Sequence, residues 1–422
     1  TSLSIVDPDV PTMRRADWRV DGAPDAGEHG GRVLHSGPPQ ALASVRESRT
    51  RPYLFDELPM PASAGREPQG WLRLHGVKRN NLRGVSAEFP IGCLTVVTGV
   101  SGSGKSSLVT QALRELVAAH LGAPAEQEED TDAHGLPAPD TAPVQGRLDG
   151  ADAIARLVQV DQKPIGRTPR SNLATYTGLF DAVRKLFAAT PAARRRRYDA
   201  GRFSFNLPQG RCPSCEGGGF VSGELLFMPS VYAPCPECHG ARYNAQTLEV
   251  RWNGRTIAEV LRMTVDEAAG FFAQEPAIAR ALAVLHEIGL GYLRLGQPAT
   301  ELSGGEAQRI KLATELQRAS RTPALYLLDE PTTGLHPADV DRLMRQLQAL
   351  ADAGHTVVVV EHEMRVAAQA DWIIDVGPGA GGEGGRVVAA GRPAEVAGSP
   401  DSRRAPYLSR AFPRARTRGK RG

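Results

Sequence analysis

The stretch Gly99-Val100-Ser101-Gly102-Ser103-Gly104-Lys105-Ser106 fits G-x-x-x-x-G-K-[ST], the phosphate-binding loop. Residues 94–98 before it form an apolar run that reads as a strand. Residues 105–120 after it carry apolar side chains at helical spacing. This order suits phosphate binding: glycines let backbone N–H groups close around phosphate oxygens, and the helix N-terminus adds positive partial charge. In such a loop Lys105 reaches the β- and γ-phosphates and the Ser106 hydroxyl ligates Mg²⁺. The flanking strand and helix separate this match from a plain glycine turn.

The whole chain sets the bounds. Its 422 residues leave room for about two to three domains. A formal net charge of +3 argues neither for nor against a nucleic-acid partner. Aromatic residues are scarce (5%), while 45 glycines and 32 prolines suit an α/β protein rich in loops. No apolar run is long enough to cross a bilayer. The N-terminal residues hold Asp7, Asp9, Arg14, Arg15 and Asp17 instead of the apolar core of a secretory signal. A cytoplasmic protein with no membrane partner is expected. The chain begins with Thr1, as a fragment or processed product would.

Residues 1–40 overlay a later segment when shifted by 354 positions. Ala16-Asp17-Trp18 matches Ala370-Asp371-Trp372, Asp21 matches Asp375, Gly30-Gly31-Arg32-Val33 matches Gly384-Gly385-Arg386-Val387, and Gly37 matches Gly391. These in-register identities read as the tail of an upstream copy of the chain's own domain. Asp7 and Pro8 stand where the later copy has Glu361 and His362. Residues 41–70 read as a linker, and 72–75 and 85–89 as short strands. The nucleotide core's first part is expected over 71–195, broken at 121–150 by an acidic, Pro/Gly-rich stretch that reads as a solvated surface loop. Residues 156–160 return to strand character and lead into Asp161-Gln162-Lys163-Pro164. Gln162 reads either as an ordinary strand-end polar residue or as an amide holding a water or Mg²⁺ at the ligand-facing end of a sheet.

Cys212-x-x-Cys215 and Cys235-x-x-Cys238 are separated by nineteen residues, the spacing of a zinc ribbon or knuckle. Each pair turns two thiolates toward one ion, and four thiolates complete a tetrahedral shell with no open position for catalysis. A structural zinc of this kind contributes roughly 10–16 kcal/mol to a small module. His239 reads as a surface residue and Cys93 as a buried thiol. Residues 220–234 read as a hairpin projecting from the module. The arginines at 194–197, with Arg202 and Arg211, read equally as a solvated helix end or as contacts to a phosphate backbone.

Residues 256–290 read as helices. Leu302-Ser303-Gly304-Gly305-Glu306 follows, with Ser303 and Glu306 spaced as a capping box, so two glycines sit at an exposed helix N-terminus. Residues 196–318 thus form a zinc module with a helical domain. The second part of the core, 319–397, begins with an apolar strand at 324–328 that ends in Asp329-Glu330-Pro331. Two such acids suit nucleotide hydrolysis, the first holding Mg²⁺ through water and the second polarising the attacking water. A helix starting at Pro337 and a strand at 357–360 lead to Glu361-His362, where a histidine reads as structural or as a γ-phosphate contact. A basic tail, 398–422, reads as a nucleic-acid-binding arm or a solubilising one.

Phosphate loop, glutamine, Leu-Ser-Gly-Gly-Glu, strand-acid-acid and strand-His, in that order, resemble the ATP-binding cassette (ABC) ATPases. Within them the chain resembles the UvrA family of the bacterial UvrABC excinuclease. That likeness is carried by the loop with Ser107, by Asp161-Gln162-Lys163-Pro164-Ile165-Gly166-Arg167-Thr168-Pro169-Arg170-Ser171-Asn172, by Gly201-Arg202-Phe203-Ser204-Phe205-Asn206 and by the zinc cassette. It continues through residues 302–308, 328–336 and 370–377, covering about 71–397. The resemblance implies an α/β fold: an ABC-type P-loop NTPase core with an inserted helical signature domain carrying a four-cysteine zinc module. It implies the second of two joined cassettes, preceded by the end of the first. It assigns Gly99, Ser101, Gly102, Ser103, Gly104, Lys105, Ser106 and Ser107 to ATP, Ser106 and Asp329 to Mg²⁺, and Cys212, Cys215, Cys235 and Cys238 to Zn²⁺. Glu330 becomes the catalytic carboxylate, His362 the switch histidine and Gln162 the γ-phosphate sensor. Ser303, Gly304 and Gly305 would close over ATP held by another cassette, supplied by a homodimer or by the other half.

By the same resemblance the chain is an ATPase, not a nuclease, that clamps distorted double-stranded DNA in nucleotide excision repair. A UvrB-type helicase is a partner of the family, although the insertion that binds it is absent from this sequence. Other readings are a UvrA-like resistance paralogue acting on drug-modified DNA, a soluble ABC ATPase outside repair, and a transporter motor. The zinc cassette counts against the transporter and ribosomal types.

Overall fold

Uncharged β-branched runs such as residues 356–360 can be buried on both faces, as a parallel sheet requires. In this computed structural model, which describes residues 3–6, 9–22, 31–58, 65–122, 144–223, 231–318 and 322–412, they form such a sheet. The strands among these residues are β1 (Arg19–Gly22), β2 (Val33–Gly37), β3 (Gly70–Arg79), β4 (Leu82–Ile91), β5 (Leu94–Gly99), β6 (Gln145–Asp149) and β7 (Arg156–Val160). They continue with β8 (Phe220–Gly223), β9 (Val231–Pro234), β10 (Arg251–Trp252), β11 (Arg255–Thr256), β12 (Ala324–Asp329), β13 (Thr356–Val360), β14 (Trp372–Gly377) and β15 (Arg386–Gly391). The chain divides into two compact units, Pro52–Asp161 with Ser320–Gly422, and Thr1–Arg51 with Gln162–Ala319.

The first of these units holds a six-stranded sheet of order β15-β14-β5-β13-β12-β7. All its pairings are parallel except β14 with β15. A second sheet, β4-β3-β6, is antiparallel. Leu72, Phe89, Val97, Leu108, Leu113, Leu327 and Val358 meet in one core. β5 lies between β13 and β14, so its carboxyl end opens where β12 and β13 also end, the edge at which parallel sheets bind ligands. The helix leaving the phosphate loop starts as a π-helix, Ser107–Leu113, and continues as the α-helix Arg114–His120. β6 falls inside the stretch read as an acidic loop, pairing with β3 despite the surrounding charge. Residues 123–143 of that stretch lie outside the described residues.

The other unit is mainly helical. Phe180, Val183, Phe187, Phe203, Phe205, Leu282 and Ile310 share its core. That core draws residues 162–195 into this unit, so the boundary falls at Gln162 and not at residue 195. β8 and β9 form the expected antiparallel hairpin. The capping boxes at Thr264/Glu267 and Ser303/Glu306 are both made.

The internal repeat has a structural counterpart. The register Arg19↔Gly37, Val20↔Ser36, Asp21↔His35, Gly22↔Val33 repeats Ile373↔Gly391, Ile374↔Ala390, Asp375↔Ala389, Val376↔Val387, with the irregularity at the same step. The likeness runs on into the stretch read as a linker. Ser48-Arg49-x-x-Pro52-Tyr53-Leu54 repeats Ser402-Arg403-x-x-Pro406-Tyr407-Leu408, and helix Arg51–Leu54 falls where Ala405–Leu408 does. Ser48 Oγ donates to buried Asp21 at 2.6 Å, as Ser402 Oγ donates to buried Asp375 at 2.6 Å. Residues 41–54 therefore carry the repeat onward and are not a plain linker. Asp7 and Pro8 lie outside the described residues, as does the end of the basic tail, 413–422.

Candidate functional site

Gly99 takes φ +146°, and a Cβ there would meet the Val376 carbonyl oxygen at 2.2 Å. Gly104 takes φ +107° with Asn81 Oδ1 at 2.8 Å from its Cβ position. Only glycine keeps the loop this close to its neighbours. Ser101 and Gly102 are exposed. Ser103 is buried and its N–H donates to the Val100 carbonyl at 3.1 Å, closing the loop. The Ser107 hydroxyl accepts from Asn80 Nδ2 at 2.9 Å. From outside, Gly381 N–H donates to the Gly102 carbonyl at 2.9 Å, and Asn81 Nδ2 reaches it at 3.3 Å.

Lys105 is 5% exposed, and its ammonium donates to the Gly99 and Val100 carbonyls, each at 3.2 Å. Burial lowers its pKa, while Glu330 and Asp329 pull the other way. A buried cation within a glycine-rich loop at a helix start is a donor set for phosphate oxygens. Burial raises the Asp329 pKa and Glu330 adds to it, whereas the Ser106 hydroxyl, hydrogen-bonded to the carboxylate, and Lys105 lower it. A hydroxyl paired with a carboxylate is the oxygen pair a Mg²⁺ ion takes.

Glu330 follows with φ +45°, unusual for a residue with a side chain. Its N–H is fixed by the Val360 carbonyl at 2.9 Å. Its Oε1 stands 2.9 Å from His362 Nε2. The structure thus brings Lys105, Ser106, Asp329, Glu330 and His362 into one compact unit at the carboxyl ends of β5, β12 and β13. Sequence reading missed Glu361. It is 1% exposed, and its carboxylate accepts from Thr332 N–H at 3.0 Å, Thr332 Oγ1 at 2.5 Å and His362 N–H at 3.0 Å. It ties the turn after Glu330 to the backbone of His362. An acid after a strand carries no mark of burial in the sequence.

Gln162, Ser303, Gly304 and Gly305 belong to the other unit. Ser303 caps helix Gly304–Gln317: Glu306 N–H donates to its Oγ at 3.3 Å and its own N–H donates to Glu306 Oε2 at 2.8 Å. Gln162 packs beside the helix start, 3.3 Å from where a Cβ on Gly304 would sit. Lys311 Nζ donates to the Lys163 carbonyl at 2.7 Å, holding the glutamine's loop to that helix.

The four cassette cysteines converge, every sulfur within 4.8 Å of the others. Cys212 and Cys235 are 4.0 Å apart and Cys215 and Cys238 3.6 Å. Four Zn–S bonds of about 2.3 Å in a tetrahedron place sulfurs about 3.8 Å apart, so the cluster fits Zn²⁺. Both knuckles are built alike. Glu216 (φ +48°) and Gly217 (φ +83°) follow Cys215 as His239 (φ +48°) and Gly240 (φ +83°) follow Cys238. Gly219 N–H donates to Cys215 Sγ at 3.2 Å. His239 is exposed, and Cys93 is buried with its pKa raised to about 11 by burial. Among the candidate basic residues, Arg202 lies over the Tyr198 ring at 4.3 Å and donates to Thr247 Oγ1 at 3.0 Å. Arg196 pairs with Glu249 at 2.6 Å, while Arg194, Arg195 and Arg197 are exposed at a helix end.

A phosphate loop on a central parallel strand, an acid pair on a nearby strand, a histidine on the strand between them and a separate helical unit with a serine-capped Gly-Gly turn define an ABC-type P-loop NTPase fold. Residues 279–363 match a family model described as "AAA domain, putative AbiEii toxin, Type IV TA system". The chain is 51% identical over 410 residues to UvrABC system protein A of Streptomyces avermitilis, covering 96% of this chain and 39% of that protein. It is 47% identical over 423 residues to UvrABC system protein A of Deinococcus radiodurans, covering 98% of this chain and 40% of that one. The crystal structure of UvrA2 from Deinococcus radiodurans superposes with a TM-score of 0.88 at 61% identity, covering 96% of this chain and 48% of that one. Over nearly its whole length the chain is similar to one part of these UvrA proteins. It spans about two-fifths of the length of the curated relatives it matches. No helix among the described residues is long and apolar enough to cross a membrane.

Proposed function

We propose that the chain binds and hydrolyses ATP with Mg²⁺ and acts, in the cytoplasm, in recognising damaged double-stranded DNA for nucleotide excision repair. The observation that carries this is the near-complete match, at about half identity, to proteins named UvrABC system protein A. The geometry is compatible with it. Lys105 and the loop N–H groups take the phosphates, and Ser106 and Asp329 take Mg²⁺. Glu330 orients the attacking water, with His362 beside it and Gln162 sensing the γ-phosphate. Ser303, Gly304 and Gly305 close on nucleotide held by a second cassette, so ATP clamps two cassettes together and hydrolysis releases them. The clamp reads how easily a duplex deforms, through contacts to its phosphates, and a UvrB-type helicase follows in the pathway. Zn²⁺ on the four cysteines holds the module rigid.

A second reading is a UvrA-like paralogue acting on drug-modified DNA. It is favoured by one contrast: against Deinococcus radiodurans the chain is 61% identical to UvrA2 and 47% identical to UvrABC system protein A. ATP turnover measured with undamaged, ultraviolet-damaged and drug-alkylated duplexes separates the two. Repair predicts stimulation by both damaged duplexes, and the paralogue predicts stimulation by the drug-modified one alone. Turnover indifferent to DNA would remove both.

A further inference from the structure

The Gly99 carbonyl ends β5 where the phosphate loop begins, and it accepts from two cations: Lys105 Nζ at 3.2 Å and Arg404 Nη2 at 2.8 Å. Arg404 comes from the segment that the sequence reads as a basic tail. Its place is set by Ser402, whose Oγ donates to Asp375 Oδ2 at 2.6 Å and accepts from the N–H groups of Arg404 at 3.1 Å and Ala405 at 3.0 Å. The other oxygen of Asp375 accepts from Thr98 Oγ1 at 2.9 Å, one residue before Gly99. A circuit therefore closes from Thr98 through Asp375, Ser402 and Arg404 back to the loop. Asp375 is 2% exposed and Ser402 4%.

The repeat within the chain gives an internal comparison. Asp21 and Ser48 reproduce Asp375 and Ser402, but the position of Arg404 is taken by Thr50, whose hydroxyl donates to Asp21 Oδ1 at 3.0 Å. The Ser48–Asp21 bond therefore forms with no arginine at that position, the arginine beside Asp21 being Arg19, whose Nη2 donates to Oδ1 at 2.9 Å. In the later copy the position has been turned toward the phosphate loop.

We propose that Arg404 is a positioning residue for nucleotide binding, keeping the Gly99 carbonyl hydrogen-bonded when the Lys105 ammonium leaves it for a nucleotide's phosphates. The proposal rests on the nucleotide-binding reading of the loop. A carbonyl at the buried base of the loop loses free energy if its donor departs and nothing replaces it. Lys105 cannot serve carbonyl and phosphate equally well, and the bond from Arg404, at 2.8 Å against 3.2 Å, stands ready to satisfy the carbonyl alone. Burial lowers the Lys105 pKa, and the nearby Arg404 charge adds to that.

The test is calorimetric titration of ATP into the full chain and into Arg404→Thr, which installs the residue of the other copy, with zinc content and melting temperature as controls of folding. Arg404→Thr should weaken ATP binding about five- to thirtyfold, the effect of one or two lost hydrogen bonds. It should raise KM for ATP with kcat little changed, and Arg404→Lys should recover most of the affinity. In a Lys105→Met background the Arg404→Thr change should add almost nothing, since no ammonium remains to be released. An unchanged ATP affinity in Arg404→Thr overturns the proposal. So does a loss of equal size in the Lys105→Met background, which would mark a role independent of Lys105. Failure of the unsubstituted chain to bind ATP would instead remove the nucleotide reading itself.

Discussion

Gly217 and Gly240 occupy the same place in the two zinc knuckles and share φ +83°, yet their surroundings differ. A Cβ on Gly240 meets nothing within 4 Å, whereas a Cβ on Gly217 would lie 1.8 Å from the carbonyl oxygen of Phe205. Gly240→Ala therefore adds only left-handed strain, about 1–2 kcal/mol. If that strain falls entirely on the metal-bound state, zinc affinity drops about five- to thirtyfold. Gly217→Ala carries the same strain and a backbone collision. Phe205 cannot retreat: it is 1% exposed, packed near Phe180 at 5.4 Å and Tyr243 at 6.1 Å, with the Arg242 guanidinium 5.1 Å from its ring. The first knuckle must shift, and the sulfurs lose their common centre. A cost of more than about 4 kcal/mol, or about a thousandfold in affinity, follows. Competition with a chromogenic chelator measures both variants against the parent, and melting followed by circular dichroism checks the fold. Equal zinc affinity in the two alanine variants would refute the reasoning, because only the Cβ environment separates them.

Other outcomes follow from the same geometry. His362→Ala should cut ATP turnover about a hundredfold or more with little change in ATP affinity. The His362–Glu330 pair is 40% and 36% exposed, so its loss should cost under about 1 kcal/mol of stability; a variant that turns over normally would remove His362 from the chemistry. Burial acts to raise the Asp21 pKa, but hydrogen bonds from Ser48, Arg19 and Thr50 outweigh it and leave the carboxyl below its usual 3.8. A lowered folded-state pKa gives stability that is present above the unfolded value and lost as pH falls through the folded one. The melting-temperature gap between the parent and Asp21→Asn should therefore be constant from neutral pH to about pH 5 and shrink below about pH 4; a gap independent of pH would contradict this.

Much of the proposed nucleotide site was legible because the chemistry proposed for it fixes spacing. Glycines at 99, 102 and 104, the acid pair at 329–330 and the paired cysteines must stand where they do for phosphate, Mg²⁺ or Zn²⁺ to be held. Contacts set by distant chain segments left weaker traces. Glu361 matters because three backbone N–H groups and a hydroxyl point at it, which no local pattern reveals. Arg404 sits in a run of basic residues whose composition suggests solvent, and only the fold turns it toward Gly99. The continuation of the repeat through residues 48–54 was present in the letters, as Ser-Arg-x-x-Pro-Tyr-Leu, but followed a stretch in which only Pro39 with Pro393 and Ala43 with Ala397 are identical. The boundary at Gln162 was hidden for a different reason. Residues 162–195 follow a core strand in sequence, but Phe180, Val183 and Phe187 find their apolar partners among later helices.

The central claim is that a buried ammonium at Lys105 and the loop around it hold a nucleotide's phosphates. Calorimetric titration of Mg²⁺-ATP into the parent chain and into Lys105→Ala tests it most directly, with zinc content measured on both. The account predicts that the variant stays folded and zinc-loaded while its ATP affinity falls at least about a hundredfold, since each hydrogen bond from a charged group contributes about 1.5–3 kcal/mol. Undiminished ATP affinity in that variant would contradict it.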